Sequence, residues 1–236
     1  MGYWSLVSEH YFSEAPAGEY RPREIEVELA GAPRRLLTAG GVFSPDHLDE
    51  GTRVLLRTIE STPPRRPGLD AEPGGTTAQG GAPSEAAGRE ADRAPVLDLG
   101  CGWGPIALSA ALRRPAAEVW AVDVNERARE LTAANAERLG LANVRVAAPE
   151  EVPEGLAFAE ILSNPPIRVG KPALHGMLRQ WLSRLAVGGS ARLVVAKHLG
   201  AESLQRWIAA ELPELDVARA ARDKGFHVIE ARRRAG

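Results

Sequence analysis

Hydrophobic and charged positions alternate near the start of the chain. Three glutamates between residues 24 and 28 alternate with Ile25, Val27 and Leu29, which predicts a β-strand with one buried face. A turn-forming run follows at 30–33, and residues 34–38 predict the returning strand. Leucine and isoleucine positions within 46–59 then predict a helix, which Gly51 weakens in its middle. This part is predicted to be a β-hairpin followed by one helix.

From residue 95 onward, short apolar runs alternate with helical patterns. Strands are predicted over 95–99, 118–123, 144–147, 158–163 and 191–196, with a closing pair formed by Val217 and 226–231. Helices are predicted over 106–113, 126–139 and 174–185, and around 204–208. This alternation predicts an α/β fold in which a seven-stranded, mostly parallel sheet carries helices on both faces. Ligands of such sheets bind at the carboxyl ends of the strands.

Composition changes sharply between residues 61 and 93. This stretch is rich in proline, glycine and alanine, and Leu69 is its only large apolar residue. Such a segment buries too little surface to offset its chain entropy, so a disordered linker is predicted over 61–93. The linker separates an N-terminal extension, 1–60, from a larger domain, 94–236.

Charge and cysteine content narrow the function classes. The net charge of −2 argues against a strongly basic nucleic-acid binder, but the larger domain is mildly basic and leaves room for a local basic patch. Cys101 is the single cysteine, which excludes a disulfide framework and a cysteine-cluster zinc site. The five histidines lack metal-ligand spacing, so no metal is predicted. With neither a secretory signal nor an apolar run long enough to span a membrane, a cytoplasmic protein without a membrane partner is expected.

The first strand of the larger domain ends in a glycine-rich turn. Gly100, Gly102 and Gly104 allow the backbone to turn tightly and to approach a ligand closely. The helix that follows offers free N–H groups to a carboxylate or a phosphate. Pro105 stands where a dinucleotide-binding fingerprint needs glycine, which disfavours a nicotinamide-dependent dehydrogenase.

Acidic residues follow the next two strands. Asp123 can accept two hydrogen bonds from a ribose diol; its alternative role is to cap the next helix, which Asn125 can do instead. Glu150 can accept from an adenine amino group, or it is an exposed loop residue. Both readings of Glu150 stay open.

The fourth strand ends in Asn164, Pro165, Pro166 and Ile167. The prolines stiffen this strand end and hold Asn164 extended, so that its side-chain oxygen and a backbone carbonyl face the cleft. Two fixed acceptors suit an NH2 group whose lone pair faces an electrophile. This turn is the predicted catalytic element.

Together these motifs resemble the class I S-adenosylmethionine-dependent methyltransferases, and within them the small-domain enzymes related to 16S rRNA guanine-N2 methyltransferases. The resemblance implies a Rossmann-like methyltransferase fold and S-adenosylmethionine as cofactor. It extends to 10–13 and to 41–44 followed by 48–52, a segment that lies near the cofactor in such enzymes. The residues that it implies for cofactor binding are Asp98, Gly100, Cys101, Gly102, Gly104, Asp123, Glu150 and Asn164.

The resemblance also implies the reaction and the partner. A methyl group would pass to an exocyclic amino nitrogen held by Asn164 and the Pro165 carbonyl, with guanine N2 in ribosomal RNA or a ribosomal particle as the acceptor. Arg168 and Lys171 are placed to meet a phosphate backbone, or are exposed loop charges. Ile167 departs from the family, which has an aromatic residue at this position to stack on a base.

Two alternatives remain at this stage. One keeps the fold and transfers the methyl group to a protein glutamine or a small-molecule amine. The other is a non-catalytic module that binds the cofactor or RNA. The oligomeric state is left open.

Overall fold

The computed structural model describes residues 21–62 and 85–234. Residues 10–13 and most of the predicted linker lie outside this part of the chain. The elements, in chain order, are β1 Arg23–Leu29, β2 Ala32–Thr38, α1 Glu50–Glu60, α2 Glu85–Arg93, β3 Val96–Leu99, α3 Pro105–Arg113, β4 Val119–Val122, α4 Glu126–Arg138, β5 Val144–Ala147, β6 Phe158–Ser163, α5 Lys171–Leu182, β7 Leu185–Ala196, α6 Ala201–Glu211, β8 Leu215–Asp223 and β9 Phe226–Arg233.

Seven strands form one sheet in the order β5-β4-β3-β6-β7-β9-β8. The first five of these strands run parallel, and β9 pairs antiparallel with both β7 and β8. The predicted fold class is therefore confirmed. The chain moves outward from β3 to one side through β4 and β5, then crosses back to place β6 on the other side. This reversal opens a crevice at the carboxyl ends of β3 and β6, where ligands of such sheets bind.

Helices cover both faces of the sheet. On one face, Leu55 of α1, Leu108 of α3 and Leu131 of α4 are fully buried in one apolar cluster. On the other face, Trp181 of α5 and Ile208 of α6 are fully buried in a second cluster. Burying side chains of this size contributes roughly 1.5–3 kcal/mol each and fixes the helices on the sheet.

The hairpin β1–β2 packs against the first face. Leu29 and Leu36 share the apolar cluster of α3 and α4. The side chain of Asn135 in α4 bonds both backbone groups of Leu37, accepting from its N–H (2.6 Å) and donating to its carbonyl (2.9 Å). The same amide donates to the carbonyl of Trp103 (2.9 Å), so one buried side chain joins the hairpin to the glycine-rich turn.

Among the predicted boundaries that differ from the structure, three matter for the architecture. α1 begins at Glu50 rather than 46, because Asp49 caps it by accepting from the N–H of Thr52 (3.0 Å). Leu185 lies at the start of β7, not in the preceding helix. The predicted linker is wrong at its C-terminal end, where α2 spans Glu85–Arg93 and buries Ala91.

No helix within the described ranges is long and apolar enough to cross a membrane.

Candidate active site

The glycine-rich turn after β3 needs its glycines for conformation. Gly100, Gly102 and Gly104 have φ values of 81°, 58° and 98°, the left-handed region that L side chains rarely adopt. A Cβ at Gly100 or Gly102 would meet nothing within 4 Å. Both residues line a cavity, so their bare backbone faces open space that a ligand can fill.

Asp98 supports this turn from beneath. Its carboxylate is fully buried and accepts from the N–H of Ala107 in the first turn of α3 (2.8 Å). Its other oxygen has no hydrogen-bond partner among the described residues. Burial, and to a smaller degree the charge of Asp123, raises the pKa of Asp98 to about 8. Asp98 does not line the cavity.

Asp123 lies at the cavity end of β4. Its two carboxylate oxygens accept from the N–H groups of Gly102 and Asn125, both at 2.9 Å. Asn125, not Asp123, caps α4 by accepting from the N–H of Ala128. Burial raises the pKa of Asp123. The carboxylate therefore ties the turn after β3 to the loop after β4, and it lines the cavity that both border.

Cys101 and Glu150 differ in their position relative to the cavity. Cys101 is buried, lines the cavity and lies 3.5 Å from the hydroxyl of Thr132. Burial raises the pKa of its thiol well above its usual value, so the thiol stays protonated at neutral pH. Glu150 is exposed and does not line the cavity, although the preceding Pro149 does.

The turn after β6 holds Asn164 by its amide nitrogen. The side-chain NH2 donates to the carboxylate of Asp49 (2.9 Å) and to the hydroxyl of Thr52 (3.1 Å). Because these two acceptors orient the amide, its oxygen remains available as an acceptor. Asn164 lines the cavity, as do both of its partners.

The two prolines build a tight turn beside Asn164. Pro166 has φ −74° and ψ 75°, the geometry of an inverse γ-turn, and the carbonyl of Pro165 accepts from the N–H of Ile167 (2.8 Å). The second acceptor that the sequence predicts is thus already engaged by the chain itself. Its oxygen keeps one lone pair for a further bond.

Asp49 and Thr52 are the partners that sequence reasoning missed. Both belong to the start of α1, 115 and 112 residues away from Asn164 in the chain. A Cβ on Gly51 would lie 2.9 Å from the ring of Phe226 in β9. Glycine within α1, which weakens the helix pattern, therefore lets the helix start approach the sheet and the turn after β6.

The predicted substrate-contacting residues divide into two groups. Ile167 and Arg168 line the cavity, and Arg168 is exposed at its edge. Lys171 is the first residue of α5, is exposed and lies outside the lining.

Two histidines near the crevice differ in whether they line the cavity. His198 lines the cavity. His175 instead stacks on Trp207 with ring centroids 3.7 Å apart, outside the cavity. No group of three or more His, Cys, Asp or Glu side chains suited to a metal ion occurs in the part of the chain that the structure covers.

The N-terminal extension forms one wall of the cavity, whose volume is ≈ 590 Å³. Trp103 donates from its indole N–H to the carbonyl of Ser44 (3.2 Å), and Asn125 donates to the carbonyl of Gly41 (2.8 Å). These bonds hold the loop on both sides of Phe43, which lines the cavity and keeps 54% of its surface exposed. A volume in this range suits a ligand of nucleoside size or larger.

Comparison with known proteins identifies a family and several relatives of this chain. The family described as "Methyltransferase small domain" matches residues 87–230. The chain is 31% identical to the uncharacterized protein YbxB of Bacillus subtilis (strain 168) over 230 residues, 96% of this chain and all of that protein.

Longer proteins also match. Ribosomal RNA small subunit methyltransferase C of Pseudomonas syringae pv. syringae is 28% identical over 98% of this chain, which spans only 60% of that protein. The solved structure of the T. thermophilus 16S rRNA N2 G1207 methyltransferase in complex with AdoMet and guanosine has a TM-score of 0.66 at 22% identity. That match covers 93% of this chain and 52% of the other, and it shows a shared fold.

Proposed function

The chain belongs to the methyltransferase small domain family, and we propose that it transfers a methyl group from S-adenosylmethionine to the N2 amino group of guanine in ribosomal RNA. The observation that carries the proposal is the Asn164 amide. Its NH2 is anchored by Asp49 and Thr52, and its oxygen is left to accept a hydrogen bond at the cavity.

The cavity fits the cofactor. Gly100 and Gly102 present backbone without side chains, next to the carboxylate of Asp123. We assign the turn at 100–104 to the methionine end, Asp123 to the ribose, and the loop at Pro149, which lines the cavity, to the adenine. The carboxylate of Asp123 lines the cavity, where it can accept hydrogen bonds from hydroxyl groups of a ribose. When bound, S-adenosylmethionine supplies a methyl group made electrophilic by its sulfonium sulfur.

The protein contributes position rather than acid–base chemistry. Asn164 accepts one hydrogen of the acceptor NH2 through its side-chain oxygen, and the free lone pair of the Pro165 carbonyl accepts the other. With both hydrogens bound, the nitrogen lone pair faces the cofactor side of the cavity. No strong base is required before transfer, because the alkylated nitrogen is acidic and then loses its proton.

The choice of guanine in ribosomal RNA rests on the relatives. The Pseudomonas syringae protein is a ribosomal RNA small subunit methyltransferase, and the T. thermophilus structure holds guanosine. The mouth of the cavity suits a planar ring, since Phe43 and Ile167 both line it and Phe43 is largely exposed. We therefore also propose that the protein acts in the cytoplasm, where it would meet ribosomal RNA.

Replacement of Asn164 tests catalysis separately from binding. Asn164→Ala removes the acceptor oxygen, and we expect kcat to fall by about 100-fold or more, while S-adenosylmethionine affinity by isothermal titration calorimetry changes by less than roughly threefold. A melting curve of the same variant confirms folding. If the variant transfers methyl groups as fast as the unaltered protein, Asn164 does not hold the acceptor; if neither protein transfers any, the chain is a binding module.

A further inference from the structure

We propose that Lys197, Arg219 and Arg222 form a phosphate-binding surface, the β8 cationic edge, along which the RNA strand that carries the acceptor base runs. The inference rests on the proposed function, because it assigns the RNA partner of that function to a place on the molecule. Phosphate contacts of this kind fix the position of an RNA strand, and they depend on charge rather than on the base sequence.

The sheet register brings the two arginines to one side. β8 is an edge strand, and in its pairing with β9, Arg222 lies opposite His227 and Arg219 opposite Ile229. Directly opposite residues in an antiparallel pair point to the same face of the sheet. His227 and Ile229 are both buried on the face of the sheet that α6 covers. Arg219 and Arg222 are exposed, so they lie beside these two residues at the rim of that face.

Lys197 joins the arginines at the end of the sheet that holds the cavity. Its backbone N–H donates to the carbonyl of Gly225 in the turn between β8 and β9 (2.8 Å). Burial is the largest cause that lowers the pKa of His227. The positive charges of Arg219, Arg222 and Lys197 lower this pKa further, and the carboxylate of Glu202 opposes them. The three cations therefore lie near the same buried imidazole, with Arg222 directly opposite it in the sheet.

These cations are available for a ligand, unlike their neighbours. Lys224 is paired with Glu50 (2.8 Å) and Arg57 with Asp223 (2.7 Å). Within residues 21–62 and 85–234, no carboxylate lies within ion-pair distance of the exposed Lys197, Arg219 and Arg222. Exposed arginines that lack a protein partner present both N–H edges to a phosphate.

The β8 cationic edge is continuous with the cavity. His198 and Leu199 directly follow Lys197 and line the cavity, and the exposed Arg168 lines it as well. A strand whose acceptor base enters at this mouth would pass Lys197 first and then the two arginines of β8. The positive surface thus begins where the proposed reaction takes place.

A charge-matched pair of variants tests the proposal. Arg219→Gln/Arg222→Gln removes two charges from the β8 cationic edge. Arg138→Gln/Arg145→Gln removes two exposed charges from α4 and from β5, the strand at the opposite edge of the sheet. The probe is a fluorescein-labelled, guanine-rich single-stranded oligoribonucleotide, titrated by fluorescence anisotropy across a series of salt concentrations.

We expect the β8 variant to bind this RNA roughly tenfold more weakly near physiological salt. The slope of log K against log salt should shrink by about 1.4, since each lost phosphate contact on single strands removes about 0.7. The control variant should match the unaltered protein, and both variants should bind S-adenosylmethionine as tightly as it does.

The possible failures are distinguishable. If the protein methylates RNA but the β8 and control variants bind it equally well, the β8 cationic edge is not the RNA surface and the proposed function stands. If an acidic peptide such as polyglutamate binds this edge and RNA does not, the surface serves a protein partner and the inference is overturned. If labelled methyl groups reach protein or metabolites but never RNA, the proposed function falls, and this inference with it.

Discussion

The Asn164 amide depends on a hydroxyl that belongs to another part of the chain. Thr52 accepts from the Asn164 NH2 at 3.1 Å and is itself buried in α1. Nothing in the structure shows Thr52 taking part in the chemistry, so its effect passes through the orientation of Asn164. It is a positioning residue for the proposed reaction.

Thr52→Val keeps the shape of this side chain and removes the acceptor. We expect kcat for methyl transfer to fall about fivefold, since one hydrogen bond of roughly 1 kcal/mol is lost, with little change in cofactor affinity. Thr52→Ser should restore most of the rate. The matched control is Thr58→Val, later in α1, where the hydroxyl donates to the carbonyl of Val54. An equal loss of rate in both valine variants would assign the effect to the helix rather than to Asn164.

Asp98 makes stability depend on pH. Its pKa in the folded chain is about 8, raised from its usual value of 3.8 by burial. Between these values the folded state holds a proton that the unfolded state has lost, so the Asp98 contribution to the free energy of unfolding declines as pH rises from about 4 to 8 and is constant above.

Asp98→Asn removes this titration. We expect urea unfolding at several pH values to show that the free energy of unfolding of the variant, relative to that of the unaltered protein, rises between pH 4 and 8. The rise should exceed about 1.4 kcal/mol, the equivalent of one pKa unit. A difference between the two proteins that does not change with pH would show that Asp98 is ionised normally in the fold.

At the residue scale, the sequence predicted which strand ends border the cavity, but not which of their side chains line it. The glycines and Asp123 could be found, because φ requirements and strand-end position follow from the local pattern. Glu150 and Lys171 follow a strand and a turn as predicted, yet both are exposed and lie outside the lining of the cavity. The partners of Asn164 could not be found, because they are brought to it by tertiary packing across more than 100 residues.

At the scale of elements, α4 links the hairpin to the glycine-rich turn through one side chain. Asn135 is fully buried and bonds to Leu37 and to Trp103. Three backbone groups would lose this partner if the side chain were removed. The hairpin therefore contributes to the position of the glycine-rich turn as well as to the core.

Asn135→Ala should lower the free energy of unfolding by about 2–4 kcal/mol, because backbone groups are left buried without partners. Hydrogen exchange of the β1 and β2 amides should rise in the same variant. Arg138→Gln is the control: it lies on the same helix and breaks only an exposed ion pair with Glu24 of β1, so we expect less than about 1 kcal/mol. Equal destabilisation by the two changes would argue against the linking role of Asn135.

Element boundaries show where local patterns stop being sufficient. The predicted strand at 191–196 is in fact the last half of β7, which begins at Leu185. Gly189 reads as a turn residue, but a Cβ there would lie within 3.0 Å of the carbonyls of Phe158 and Ala159. A Cβ would also lie 2.9 Å from the carbonyl of Ala186 in β7 itself. Glycine at this position therefore permits the local turn of the chain and also the close approach of β7 to β6, and only the second requirement comes from the sheet.

At the scale of the whole molecule, the N-terminal extension and the larger domain enclose one cavity between them. The loop and helix start from 42 to 52 form one wall, and the carboxyl ends of β3, β4 and β6 form the other. Ion pairs join α1 to the end of β8 and the β8–β9 turn. Arg219 and Arg222 of β8, in contrast, have no ion-pair partner within residues 21–62 and 85–234. The extension therefore completes the wall of the cavity, and the proposed β8 cationic edge would start at its mouth.

The most direct test is nucleoside analysis of methylated RNA. Purified protein is incubated with S-adenosylmethionine carrying a labelled methyl group and with total RNA from a strain that lacks the protein. The RNA is then digested to nucleosides and separated by liquid chromatography with mass spectrometry. The account predicts label in N2-methylguanosine of ribosomal RNA, and none with Asn164→Ala. Label confined to protein or small metabolites, or to another atom of the nucleoside, would contradict it.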